Sequence, residues 1–294
     1  MIEAINQILN GLQLGLVYAL IALGYTMVYG IIRLINFAHG DVFMVGAFVA
    51  FLSTVDWHLP FWVAVPLSML VCAVLGVTIE RLAYRPLRYA ARIAALISAI
   101  GVSLLIEYGG SLKFVFGPNY RVVPQPFSIV QWNFAGISVS NIQLIVLVTV
   151  VILLAGLQYL VTRTRIGKAM RAVSFDHDAA RLMGINVDAI ISYTFALGSA
   201  LAAAGGVLYS TAYPQINPFM GIMPGLKAFT AAVLGGIGNI PGAMLGALIM
   251  GQVDVLSAAY ISSQLRDAIA FTILILVLLV KPSGLLGKSG PEKV

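Results

Sequence analysis

Few residue patterns in this chain of 294 residues could carry out catalysis. Its histidines, His39, His58 and His177, are scattered, and none is paired at metal-ligand spacing. No Gly-x-Ser-x-Gly elbow occurs, and no carboxylate pair lies within one apolar run. Gly287-Lys288-Ser289 has the ending of a phosphate loop, but Pro282 stands where the loop needs its first glycine, and an apolar run rather than a strand precedes it. Asp41, Glu107 and Asp254 fall in or beside apolar runs, where an ionisable group is a functional candidate. Asp41 and Asp254 lie near ends or breaks, so structural or interfacial roles account for them. No arginines repeat within a run as a voltage sensor requires. The residues therefore assign no catalytic group, no metal ligand and no cofactor held by this chain.

The strongest pattern is a hydrophilic block, Arg163 to Asp188, between long apolar runs. It contains Arg163, Arg165, Lys168 and Arg171, then Asp176-His177-Asp178-Ala179-Ala180-Arg181 and Gly184. Its second half is amphipathic at helical spacing: Ala179, Leu182, Met183 and Ile190 are apolar, whereas Asp178, Arg181 and Asp188 are polar. Charge at this density stays out of lipid, so the block lies in water or against a partner. Asp178-Ala179-Ala180-x-x-x-Gly184 suits a docking knob. Small alanines fit a groove, the acid caps a helix, and the glycine ends it in a left-handed turn.

The rest of the chain is oily. Hydrophobic residues make up 60 % and charged residues 10 %, and the mean hydropathy is +0.98, which excludes an ordinary soluble domain. Between Glu3 and Arg33, Arg92 and Glu107, Arg121 and Arg163, and Asp188 and Lys227 there is no acid or base. Runs of about 20 apolar residues span a bilayer core. The expected fold is all-α, a polytopic transmembrane helical bundle of about eight spans, forming a single domain over residues 1–294 with a cytoplasmic coupling loop at 163–188.

The net charge of +6 suggests nucleic acid only until its distribution is read. Arg81, Arg85, Arg88 and Arg92 share one short loop, the mid-chain block holds five more, and Lys281, Lys288 and Lys293 end the chain. With Arg33, thirteen of the seventeen basic residues fall on one side if the first span starts outside, as the positive-inside rule expects. Lys113, Arg121, Lys227 and Arg266 do not. Cys72 is the single cysteine and lies mid-span, so no intramolecular disulfide forms. The first apolar stretch lacks a basic leader and a cleavage site and reads as a retained span.

Expected spans are 5–32, 61–79, 93–112, 141–162, 189–212 and 268–280, with a breaker-rich outer loop and short hairpin at 117–140. Two stretches are too broken to span simply. Asn36-Phe-Ala-His39-Gly40-Asp41 precedes a short apolar run, and Gly235-Gly236-Ile237-Gly238-Asn239-Ile240-Pro241-Gly242 divides 224–258. Such knots suggest broken or re-entrant helices around a cavity, with helix ends able to hold the charged ends of a zwitterion. Asn36, His39, Gly40, Gly238, Asn239 and Gly242 are the candidate pathway residues, and Asn36-Phe-Ala-His-Gly40 with Gly46-Ala47 parallels Asn239-Ile-Pro-Gly242 with Gly246-Ala247 as an internal repeat.

Gly24-Tyr-Thr-Met-Val-Tyr-Gly30, Ile35-Asn-Phe-Ala-His-Gly-Asp41, Ile79-Glu-Arg-Leu-Ala-Tyr-Arg-Pro86, Leu96-Ile-Ser-Ala-Ile-Gly101, Ile185-Asn186, the Ile-Asn-Pro turn at 216–218 and Lys227-Ala-Phe-Thr-Ala-Ala-Val-Leu-Gly-Gly-Ile-Gly238 resemble the LivH-type permeases of bacterial branched-chain amino acid ABC importers, over nearly the whole chain. In ABC importer permeases a Glu-Ala-Ala-x-x-x-Gly element docks on the ATPase. Here Asp178 stands for the glutamate and the isoleucine expected further along is displaced. The resemblance implies an inner-membrane permease subunit with Arg171, Asp178, Ala179, Ala180 and Gly184 coupling it to ATPases. It also implies a heterodimer with a sister permease, two cytoplasmic ABC ATPases that hold the ATP and Mg, and a periplasmic substrate-binding protein. The family also includes permeases for urea and short amides, and an ion-coupled secondary carrier is the rival outside it.

Overall fold

The computed structural model describes residues 2–88, 90–134 and 136–287, so Lys288, Ser289 and Lys293 lie outside the described residues. The chain forms α1 (Ile2–Ile32), α2 (His39–Val55), α3 (Phe61–Ile79, prolonged by a π-helical turn at Glu80–Tyr84), α4 (Arg92–Gly110), α5 (Asn141–Arg163), α6 (Arg165–Phe175), α7 (His177–Leu182), α8 (Val187–Ala212), α9 (Ile222–Gly235), α10 (Ile240–Tyr260) and α11 (Arg266–Val280). Two small antiparallel pairings complete it: β1 (Arg121–Val122) with β4 (Gln215–Ile216), and the hairpin of β2 (Gln131–Phe134) with β3 (Ile137–Ser140). Six helices among the described residues are long and apolar enough to cross a membrane, while α2 and α9 are apolar but shorter. The polytopic helical bundle expected from hydropathy is what forms.

Local chemistry sets where these helices start. Ser140 caps α5 with a reciprocal bond to Gln143, a capping box. Asn186 caps α8 by accepting from the Ala189 N–H at 3.1 Å, and Asn239 caps α10 by accepting from the Gly242 N–H at 3.2 Å. α1 is buried from Leu14 to Val28 and runs through the middle of the bundle, packed along α10, α8 and α9.

The loop tethers sort into two ends. Ile31, Asp188, Gly238 and Ser283 gather at the end that carries Arg33, Arg85 and Arg88. At the other end Asn6 accepts from the Ser138 N–H and the Gln252 amide donates to the Ile8 carbonyl. The basic loops therefore share one end of the bundle.

α2 does not start at that end. His39 lies against Gly24, about 12 Å along α1 from its basic end, where Gly198, midway along α8, also approaches. α9 starts at the same depth, because Gly40 packs against Gly221 and Gly225. Both are half-helices reached through extended chain, 33–38 from the basic end and 213–221 from the other.

This corrects the repeat expected from sequence. The counterpart of Ile35-Asn36…Gly40 is Ile216-Asn217…Gly221, not Asn239–Gly242. Each stretch makes the same turn: the His39 N–H donates to the Asn36 carbonyl and the Met220 N–H to the Asn217 carbonyl, both at 3.1 Å. α1 packs along α10 as α8 packs along α3, with the partners running in opposite directions: Gly11 and Gly15 meet Gln252 and Leu248, and Gly76 and Glu80 meet Ser199 and Ser192. That is an inverted repeat, with two half-helix N-termini abutting at its centre. The Asn239 knot is instead a capped turn between α9 and α10 at the basic end.

Candidate functional site

Three places on this frame carry polar chemistry. The first is the mid-chain block. The hydroxyl of Thr164 accepts from the Gly167 N–H at 3.1 Å and starts α6. α7 begins at Asp176, whose carboxylate accepts from the N–H groups of Asp178 and Ala179 at 2.8 and 3.0 Å. The cap is thus Asp176, where the backbone is extended, and not Asp178, which sits in the first turn with an exposed side chain 3.6 Å from Arg181. Ala180 is buried and Ala179 exposed. Gly184 has φ +79°, and the Ile185 N–H donates to the Ala180 carbonyl at 3.0 Å while that of Gly184 reaches Arg181 at 2.9 Å. This is a Schellman turn, so the left-handed glycine expected at the end of the knob is present.

The outer surface of that knob is apolar. Phe175, Leu182 and Met183 are 85, 88 and 81 % exposed, on an element that also carries exposed Arg165, Lys168 and Asp178. Its inner surface is tied to the bundle. His177 donates from Nε2 to the Ile31 carbonyl at 2.9 Å, and Arg171 donates to the Val161 carbonyl at 2.6 Å. Where the block joins α8, Asp188 pairs with Arg85 at 2.7 Å and with Arg88. Arg88 continues to the fully buried Glu80 at 2.8 Å, which also accepts the Ser192 hydroxyl at 2.7 Å. The Arg-rich loop is plain in the sequence, but the acids that hold it come from the end of α3 and the start of α8, so only the fold reveals the network.

The second place is the half-helix junction. Asn36 is buried and accepts the Tyr84 hydroxyl at 3.0 Å, and His39 is buried edge-on to Tyr25 at 4.7 Å between centroids. Asp41 accepts the Ser103 hydroxyl at 2.5 Å with Glu107 beside it, on a cavity of about 180 Å³ that Gly40, Gly221 and Gly225 also line. Gly238 and Asn239 are not here. They line open cavities at the basic end, and Gly242 packs on Gly235. The six sequence-derived pathway residues therefore form two groups. Gly24 beside the first and Gly30 beside the second lie about 9 Å apart along α1.

The third place is a buried ion cluster. Lys227, 1 % exposed on α9, pairs with Asp254 of α10 at 2.6 Å and Asp267 of α11 at 2.7 Å, and Asp254 also accepts the Tyr18 hydroxyl at 2.9 Å. This satisfies the acid that sequence left without a partner. Asp254 forms the floor of a polar vestibule of about 630 Å³, with Gln7, Asn10, Tyr209 and Arg266 on its walls. An opposing cavity of about 710 Å³ opens near Arg33 and Gly238. α1 contributes to both, and the segment between Tyr18 and Thr26 separates them by about 12 Å. Among the described residues no three His, Cys, Asp or Glu side chains gather as a metal would need.

A central helix with a cavity at each end, half-helices abutting between them and an exposed apolar knob on one face describe a membrane permease. Comparison with known proteins places it further. Residues 7–278 match the family model described as branched-chain amino acid transport system / permease component, and the chain belongs to that family. It is 44 % identical to the high-affinity branched-chain amino acid transport system permease protein LivH of Escherichia coli (strain K12), across 99 % of this chain and 97 % of the relative. It is equally 44 % identical to the corresponding BraD protein of Pseudomonas aeruginosa, across 99 and 98 %. The ribose import permease protein RbsC of Haemophilus influenzae is a more distant match, 29 % identical across 85 and 77 %. The chain is thus a multi-pass membrane protein and the permease component of an ABC importer.

Proposed function

We propose that this subunit supplies one half of the pathway of an inner-membrane importer for leucine, isoleucine and valine. It works with a sister permease, two cytoplasmic ABC ATPases that bind and hydrolyse ATP with Mg, and a periplasmic binding protein. The observation that carries the reading is the knob of α6 and α7. Its tip exposes Phe175, Leu182 and Met183 to water, while its base holds the end of the central helix through His177. Exposed apolar side chains of this size on a charged element are stabilised by a partner's groove. An ATPase dimer that closes on nucleotide would displace the knob, and the bond to Ile31 would pass that displacement to α1, which lines both cavities. Arg171, Asp178, Ala179, Ala180 and Gly184 build the knob. Asn36, His39 and Gly40 hold the central closure, and Gly238 and Asn239 shape the inner mouth, with Gly242 packed on Gly235 behind them.

The test is uptake of radiolabelled leucine by proteoliposomes holding the four-subunit transporter and its binding protein. Uptake that requires ATP supports the proposal. Uptake driven by an ion gradient with ATP absent, or transport of urea and not leucine, contradicts it.

A further inference from the structure

The cavity of about 710 Å³ near Arg33 has the chemistry of a ligand site rather than of an incidental gap. At its depth lies Thr26, 1 % exposed, with a hydroxyl that has no partner. The other buried threonines, Thr194, Thr211 and Thr230, each return the hydroxyl to the carbonyl four residues back. Thr26 departs from that habit. At the mouth stand two guanidinium groups, Arg33 and Arg171, and none of the lining residues is acidic. Between mouth and floor the walls are apolar, including Met27, Met170 and Ile237. α1 also ends here, so the negative end of its dipole meets the same space.

Arg33 adds an independent sign. Its φ is +53°, a left-handed position that is strained for a residue bearing a Cβ and that glycine would fill freely. Its N–H closes the last turn of α1 on Tyr29 at 2.8 Å, the bond any residue would make there. What arginine alone contributes is the cation. Strain kept in place of a freely available glycine marks a side chain with a task.

We propose that this cavity is a release-side binding site for a small aliphatic α-amino acid, an assignment that rests on the transport reading above. The carboxylate lies between Arg33 and Arg171, the ammonium meets the carbonyl end of α1, and the side chain packs on the methionines, whose flexibility suits several branched shapes. Thr26 donates to or accepts from the bound molecule at the closed end. Because Arg171 and Met170 belong to α6, the site opens and shuts with the knob that docks on the ATPases.

The experiment is equilibrium binding of tritiated L-leucine to the complete nucleotide-free transporter in nanodiscs, with the binding protein omitted. The variants are Arg33→Gly, Arg33→Lys and Thr26→Val. Arg33→Gly relieves the backbone and leaves assembly intact by gel filtration, and it weakens binding about tenfold. Arg33→Lys restores much of that loss, and Thr26→Val weakens binding less than Arg33→Gly does. Equal affinity in wild type and Arg33→Gly, or no saturable leucine binding, overturns the site. So does a site that takes phosphatidylglycerol from mixed-lipid nanodiscs and leaves leucine unbound in pure phosphatidylcholine as well. Wild-type ATP-driven uptake, measured in parallel, separates the two claims. If uptake is present and binding fails, only this site is wrong; if leucine uptake is absent, the transport reading fails as well.

Discussion

The imidazole of His177 lies 2.9 Å from the carbonyl oxygen of Ile31, so the first residue of the knob helix holds the last turn of the central helix. A side chain of the knob thereby grips a helix that lines a cavity at each end of the bundle. Removing that grip should separate docking from transport. His177→Ala loses one hydrogen bond, worth about 1 kcal/mol, which leaves the fold and the exposed tip of the knob in place. Leucine uptake should fall several-fold while ATP hydrolysis persists, and His177→Gln should recover part of the coupling. Uptake per ATP hydrolysed is the measurement, and an unchanged ratio would refute the link.

Gly40 and Gly221 form the centre of the inverted repeat. A Cβ on Gly40 would lie 2.6 Å from the Gly221 carbonyl oxygen, and one on Gly221 would strike the Gly40 carbonyl in turn. Backbone cannot yield as a side-chain tip can, so Gly221→Val should push the half-helices apart. Overpacking of this kind costs about 1–3 kcal/mol. The expected outcome is a lower melting temperature and poor yield in detergent, measured against Gly156→Val, where the added side chain meets open space.

Lys227 neutralises Asp254 and Asp267 inside the bundle. Lys227→Met leaves Asp254 and Asp267 only the more distant Arg266 guanidinium, at 3.7 and 3.5 Å, and breaking a buried pair from one side costs up to about 3–5 kcal/mol. The double variant Lys227→Met with Asp254→Leu should be less damaged than the single, because it removes both an unpaired charge and its partner. Melting of the detergent-solubilised subunit checks the order of the two.

Glu80 is fully buried and depends on Arg88 and Ser192. Arg88→Met should therefore destabilise far more than Arg85→Met, since Arg85 is half exposed and Asp188 keeps Arg88 when Arg85 is lost. A difference in melting temperature between these two variants is the readout.

Much of this architecture was legible in the residues because lipid imposes simple rules. Long runs without charge gave the spans, arginine-rich loops gave the shared end, and Asn36–Gly40 announced a break before α2. Gly184 was readable as a left-handed helix stop. Other features depend on tertiary approach and left only faint marks. The Asn239 stretch repeats both an Asn…Gly step and a Gly-Ala pair at 246–247, as at 46–47, whereas the true counterpart, Ile216-Asn217…Gly221, shares only three identities spread over six positions with Ile35-Asn36…Gly40. The cap fell on Asp176 rather than Asp178 because backbone direction, not residue type, selects between neighbouring aspartates. Lys227 read as a stray basic residue until α10 and α11 brought acids to it.

The account depends on the tip of the knob being the seat of the ATPases. Replacing Leu182 and Met183, both exposed and outside the bundle's core, with aspartate makes the most direct test. The doubly substituted subunit, purified by an affinity tag with its sister permease, should retain that partner and lose both ATPases together with ATP-driven leucine uptake. Recovery of the intact four-subunit complex with wild-type uptake would contradict it.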